Sequence, residues 1–174
     1  MKRAGNVIAT AASLLALASG ASAQSPLGAT DISAKEVQEF MKRLPPDAVS
    51  DRPIRVVDVG GYRVGVFGVF RPKGVPGVAV FHETKVTEIY YLLEGAGTLV
   101  TGGSLREPVT RQKSATNGWM NNDSAGVNGG VSRHVSKGDI VIIPPGVAHW
   151  WSALDGDVTY LMFRPDPQSE MSLK

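Results

Sequence analysis

The chain contains no cysteine, which excludes a disulfide framework, a thiolate nucleophile and a thiolate metal site. Histidine is scarce, with only His82, His134 and His149. An excess of charge is also missing. Eighteen basic residues face 16 acidic ones, and residues 1–23 hold two of the basic residues and no acid, so the remainder carries 16 of each sign. A balanced remainder gives no ground for a nucleic-acid or anionic-membrane partner. Beyond the N-terminus no run is apolar and long enough to cross a membrane. There is no serine–histidine–acid set, and the glycine pairs lie between expected strands, not at a helix start where they would cradle phosphate.

The first residues have the order of a secretory signal peptide. Lys2 and Arg3 precede the uncharged apolar stretch Val7 to Ala18, and Ala21-Ser22-Ala23 forms a small-x-small cleavage site before Gln24. A retained anchor is the alternative, for which the apolar run is short. Residues 1–23 are therefore expected to be removed and the protein to be exported, to the periplasm or outside the cell, with no membrane association after cleavage. Removing residues 1–23 from 174 leaves 151, enough for one domain with a hydrophobic core. Without disulfides, such a domain must be stabilised by packing, by a metal or by oligomerisation.

Residues 24–52 read as a leader and one helix. Ser33 stands three residues before Glu36, a capping-box signature. Val37, Phe40, Met41 and Leu44 follow at helical spacing until Pro45-Pro46. The pattern predicts a helix over about 34–43, packed on the main body or on a second subunit. Residues 53–166 read as one all-β domain. Short runs rich in Val, Ile, Phe and Tyr alternate with Gly and Pro, which predicts strands near 54–59, 62–70, 77–82, 87–93, 96–101, 130–136, 139–143, 147–153 and 157–164. Within the domain, 101–130 reads as a long inserted loop, either a lid or a solvated insertion, with Trp119 and Met120 as anchors and Arg106, Arg111 and Lys113 as contacts for an anion. Residues 167–174 form a C-terminal tail.

Two stretches carry the candidate chemistry. One runs from Gly77 through His82, Thr84 and Glu88 to Gly95, and the other from Gly138 through Pro144 and Gly146 to His149. Alternate strand residues share a face. His82 thus shares one with Val80 and Thr84, Glu88 with Tyr90 and Leu92, and His149 with Trp151 and Ala153. If these strands are neighbours, His82, Glu88 and His149 can surround one divalent transition metal (Fe, Mn, Ni, Cu or Zn), since imidazole and carboxylate are suitable ligands. A histidine alone on an apolar strand would instead be a core residue. Tyr90 is the candidate for proton transfer, with a structural hydroxyl as the alternative. Thr84, Trp151 and Phe67 are candidates for the pocket wall. His134 reads as a surface residue, or else as a substitute ligand.

These residues resemble the two motifs of the cupin superfamily, G-x5-H-x-H-x3–4-E-x6-G and G-x5-P-x-G-x2-H-x3-N. His82, Glu88 and Gly95 take positions of the first, with Gly77 one residue too close to His82. Gly138, Pro144, Gly146 and His149 take positions of the second. Thr84 stands where the family has its second histidine and Ala153 where it has asparagine. The resemblance implies a β-barrel of jelly-roll type with one metal inside, often as a homodimer. Two histidines and one carboxylate still make a competent triad with open positions. The expected function is a metal-dependent enzyme acting on a small oxygenated substrate, by dioxygenase, lyase or isomerase chemistry. The alternatives are a non-catalytic cupin that binds a sugar or an aromatic acid, and a dimer whose ion is only structural.

Overall fold

The computed structural model describes residues 28–174 except 76, 109, 115–117 and 124, so the expected signal peptide at 1–23 lies outside the described residues. Helix α1 spans Ala34–Lys42. Ser33 caps it by accepting the Glu36 N–H at 3.1 Å, which satisfies one of the free donors of the first turn. The reciprocal half of the capping box does not form, because the Glu36 carboxylate pairs with Arg55 at 2.6 Å. Thirteen strands follow: β1 (Ser50–Asp58), β2 (Arg63–Arg71), β3 (Ala79–His82), β4 (Glu88–Glu94), β5 (Ala96–Thr101), β6 (Ser104–Leu105), β7 (Thr110–Ser114), β8 (Gly118–Asp123), β9 (Val127–Asn128), β10 (Val131–Ser136), β11 (Ile140–Ile143), β12 (His149–Leu154) and β13 (Val158–Asp166).

These strands build a jelly roll of two facing sheets and a small ribbon. One sheet has the order β1-β2-β13-β4-β11, the other β10-β5-β12-β3-β8-β7, and β6 pairs with β9 alone. The two large sheets share no strand pairing among the described residues, so the barrel is an open sandwich and not a closed ladder. All nine strands read from the sequence are present, with ends shifted by a few residues. The core lies between the sheets. Phe67, Val69, Leu92, Val158 and Tyr160 project from one, and Leu99, Val135 and Trp151 from the other. Each large apolar side chain buried here contributes about 1.5–3 kcal/mol.

The segment 101–130, expected to be a loop, holds four strands. Hairpin β7–β8 pairs with β3 and extends the second sheet, so β3 is not an edge. The β6–β9 ribbon packs Leu105 and Val127 onto Val100, Phe81 and Trp150, covering the outer face of that sheet. Thr110–Ser114 and Gly118–Asp123 contain little apolar alternation, and they join the sheet through backbone pairing. The side chains of Arg111, Trp119 and Met120 lie outside the described residues; Arg106 and Lys113 are exposed. The C-terminal tail is docked. Val56 and Lys174 exchange backbone hydrogen bonds at 3.0 and 3.1 Å, and Met171 is fully buried in the core.

Helix α1 packs on β2 of the same chain, where Gly68 leaves room for it. A β-carbon at Gly68 would lie 2.6 Å from the Met41 sulfur and 3.0 Å from the Phe40 ring. Gly68→Leu is therefore expected to lift the helix without disturbing the sandwich. Amide exchange at residues 34–42 should accelerate while that of β4 and β13 stays unchanged. Unchanged exchange in the helix would contradict this packing.

Candidate metal centre

Strands from both sheets converge on one buried carboxylate. Glu88 opens β4 in the first sheet, while His82 closes β3 and His149 opens β12 in the second. Pro144 and Gly146 lie in the tight connection that carries the chain from β11 across to β12. Gly146 adopts φ 72°, which a side chain would disfavour, and Val147 N–H returns to the Pro144 carbonyl at 3.3 Å. This turn places His149 opposite Val80 of β3.

The three side chains are buried, and one ligand atom from each lies within 4.8 Å of the others. The Nε2 atoms of His82 and His149 lie 3.2 Å from Glu88 Oε1 and Oε2 respectively. An ion bonded to N and O donors at about 2.1 Å keeps adjacent donors about 3.0–3.4 Å apart, so the spacing suits a coordination shell. The chemistry of the donors agrees. His149 Nδ1 sits 3.0 Å from the Val147 carbonyl. A carbonyl only accepts, so Nδ1 carries the proton and Nε2 is the ring atom left on the side of Glu88, where an ion shared by the two would sit. A backbone acceptor behind a histidine is the usual support for a metal ligand. Burial pushes the His82 imidazole below its ordinary pKa, against the pull of Glu88, and so favours the neutral, ligating form. His82 Nδ1 is buried and has no hydrogen-bond partner. The residues present therefore fit a divalent ion.

The sequence reading missed Arg164. It is among the largest fully buried side chains, and it donates from Nε and Nη2 to Glu88 Oε1 at 2.9 and 2.6 Å. Nη2 also donates to Asp51 at 2.8 Å, and the guanidinium lies 4.5 Å over the Phe67 ring. Burial alone would raise the Glu88 carboxyl, but Arg164 first, then the imidazoles, hold it well below the usual carboxylate range. Tyr90 Oη donates to Glu88 Oε2 at 2.7 Å. Burial, reinforced by the Glu88 charge, pushes the Tyr90 phenol well above its ordinary pKa, so near neutral pH Tyr90 is a hydrogen-bond donor and not a base. The signal for Arg164 was present in the chain, since it shares the parity of Val158, Tyr160 and Met162 along β13, where every second residue is buried.

These groups form one end of a cavity of about 210 Å³. Val78, Val80 and His82 line it at the alternation of β3, with Val49 and Met162 as further apolar wall and Arg71 and Tyr160 as polar wall. The three residues expected as pocket wall lie elsewhere. Phe67 and Trp151 belong to the packed core, and Phe67 serves as the platform under Arg164. Thr84 is buried in the turn beyond β3, where strand alternation no longer directs its side chain into the cavity. Ala153 does not share the face of His149 and Trp151. Ser152 is an extra residue in the β12–β5 register, and this bulge turns Ala153 outward. His134 is exposed and pairs with Asp155 at 2.8 Å, away from the site. A second groove of about 300 Å³, between residues 28–32 and the face of β1 and β2 that bears Val64 and Val66, also lies apart from it.

Two outcomes follow for the metal-free protein. Arg164→Met leaves a buried carboxylate without its cation and should lower unfolding free energy by about 3–5 kcal/mol. Adding Glu88→Gln should restore much of that loss in denaturant titrations, whereas additive losses would show that the pair is not coupled. The second concerns acid. Native Glu88 titrates below its unfolded counterpart (about 4.3), so its contribution is complete above that pH and is lost as pH falls through the lower, native value. Glu88→Gln should therefore flatten the acid limb of the stability profile, and an unchanged limb would contradict the assignment.

The profile of the Cupin family matches residues 64–173, which cover both motif stretches and every residue of the site except Asp51 and Val49. No curated protein matches the chain in sequence. Solved structures of similar fold include an uncharacterized conserved protein with a double-stranded beta-helix domain from Klebsiella pneumoniae (16% identity, 84% of this chain and 97% of that one, TM-score 0.47). The EutQ protein of Clostridium difficile is similar at 13% identity, over 72% of this chain and 73% of that one, with a TM-score of 0.42. The DMSP lyase DddQ of Ruegeria pomeroyi is similar at 15% identity, over 83% and 78%, with a TM-score of 0.42. Similarity at this level carries no argument about activity. With the family profile covering most of the chain and the His82, Glu88 and His149 cluster at the motif positions, this protein belongs to the cupin family.

Proposed function

We propose that the protein is an exported cupin that holds one divalent transition metal through His82, Glu88 and His149 and acts on a small oxygenated molecule. The observation that carries the reading is the buried convergence of three ligand atoms within 4.8 Å. The protonated Nδ1 of His149, held by the Val147 carbonyl, adds to it. A bound ion would supply Lewis acidity toward a carbonyl, hydroxyl or enolate oxygen. Arg164 and Tyr90 orient the Glu88 carboxylate: Arg164 donates twice to Oε1 and Tyr90 once to Oε2, so Oε2 keeps a lone pair for an ion. With Thr84 in place of a histidine, the site has one protein ligand fewer than the family pattern and more room for substrate. Export rests on the charge, apolar run and small residues of 1–23. Exposed Ile140 and Ile142 on β11, at the edge of the first sheet, support a homodimer.

A specific observation favours a second reading, a cupin that binds its ligand without metal. A buried carboxylate needs a partner, and Arg164 already supplies one to Glu88 at 2.6 Å. The retained glutamate is thus compatible with a metal-free site.

Elemental analysis by mass spectrometry on untagged mature protein separates the two. About one equivalent of a single transition metal is expected in the wild type, with at least a tenfold loss in Glu88→Gln. No metal in either protein after incubation with metal salts would support the metal-free reading.

A further inference from the structure

The cavity contains a second arginine that the site chemistry does not use. Arg71 is the last residue of β2 and shares the inward parity of Phe67 and Val69. On the β2–β13 ladder it stands opposite Val158, whereas Arg164 stands opposite Gly65. The two arginines thus originate six residues apart, or about 20 Å of extended strand. Both line the same cavity.

Their partners differ. The two cavity-lining carboxylates, Glu88 and Asp51, both pair with Arg164. Arg71 donates only from Nε, to Tyr160 Oη at 3.0 Å. Among the described residues its two Nη groups have no hydrogen-bond partner and no carboxylate within ion-pair distance. The side chain is half-buried and lines the cavity, with Nη1 on the side of Gly77. Tyr160 Oη accepts from Arg71 and keeps its own proton for a ligand. A guanidinium fork beside a phenol O–H is suited to a planar carboxylate.

We infer that Arg71, with Tyr160, anchors the carboxylate of a small acid whose body lies against Val49, Val78, Val80 and Met162. This inference rests on the cavity being the binding site of the proposed function, and it names the substrate class. The cavity measures about 210 Å³. That admits a small molecule. The apolar wall favours a compact hydrocarbon or aromatic body over a polyhydroxylated one. An acid held at Arg71 extends its far end toward His82, Glu88 and His149.

Benzoate and benzamide form a pair of matched shape that differs in charge. Their binding to the full-length mature protein is measured by ligand-observed NMR titration, both metal-loaded and after chelator treatment. The wild type is expected to bind benzoate at least tenfold more tightly than benzamide in both states. Arg71→Gln should abolish that preference, weakening benzoate far more than benzamide, without changing metal content. Arg71→Lys keeps the charge but loses the fork, and should retain a reduced preference; if Arg71→Gln does not fold, a benzoate affinity of Arg71→Lys equal to wild type overturns the proposal. Equal binding of the two probes by the wild type overturns it, as does a benzoate preference that survives Arg71→Gln. A preference that disappears on chelation assigns the carboxylate to the metal instead and leaves the metal reading intact. A preference that persists in protein unable to take up metal sustains the Arg71 anchor while the metal reading fails.

Discussion

The buried Glu88–Arg164 pair is the interaction on which the rest of the site depends. Glu88 is 2% exposed, and a carboxylate so buried without a cation would protonate or unfold the site. Arg164 reaches it from β13 and continues to Asp51 on β1. Tyr90 reaches it from β4, the strand of Glu88 itself. One carboxylate thereby ties three strands of the first sheet together and faces two imidazoles from the second. Phe67, fully buried under the guanidinium, fixes the plane from which Arg164 donates. The pair is costly to assemble and still more costly to break in half, so it constrains the local packing of both sheets.

The same pair sets the chemistry. Arg164 keeps Glu88 ionised, which a metal ligand requires, yet it also places a positive charge close to where an ion would sit. Two arginines and two carboxylates line the cavity, and a divalent ion would add two further positive charges. An anionic ligand would offset part of that excess, and Arg71 lines the same space.

Much of the fold was legible in the sequence because the two sheets bury one face each and alternation reports that directly. The strands carrying His82, Glu88 and His149 followed from this, whereas the expectation that they meet rested on the resemblance to the cupin motifs. What escaped was of three kinds. Residues 110–114 and 118–123 pair through the backbone with little apolar alternation, so a pattern-based reading has no signal there. Ser152 forms a bulge, and one extra residue reverses the face of everything after it; hence Ala153 points outward and Leu154 packs against the core. Arg164 and Arg71 end long strands, where charge ordinarily means solvent, although the parity of Val158, Tyr160 and Met162 and of Phe67 and Val69 places both arginines inward. The aromatic residues expected as pocket wall, Phe67 and Trp151, are packed one layer behind the cavity, a distinction that strand parity alone does not draw.

The most direct test of the account is a crystal structure of the metal-loaded protein, with anomalous data collected at the absorption edge of the bound element. The account predicts one anomalous peak, about 2.0–2.2 Å from His82 Nε2, His149 Nε2 and a Glu88 oxygen, with Arg164 still paired to the carboxylate. A map with no peak there, and with Glu88 hydrogen-bonded directly to both imidazoles, would contradict it.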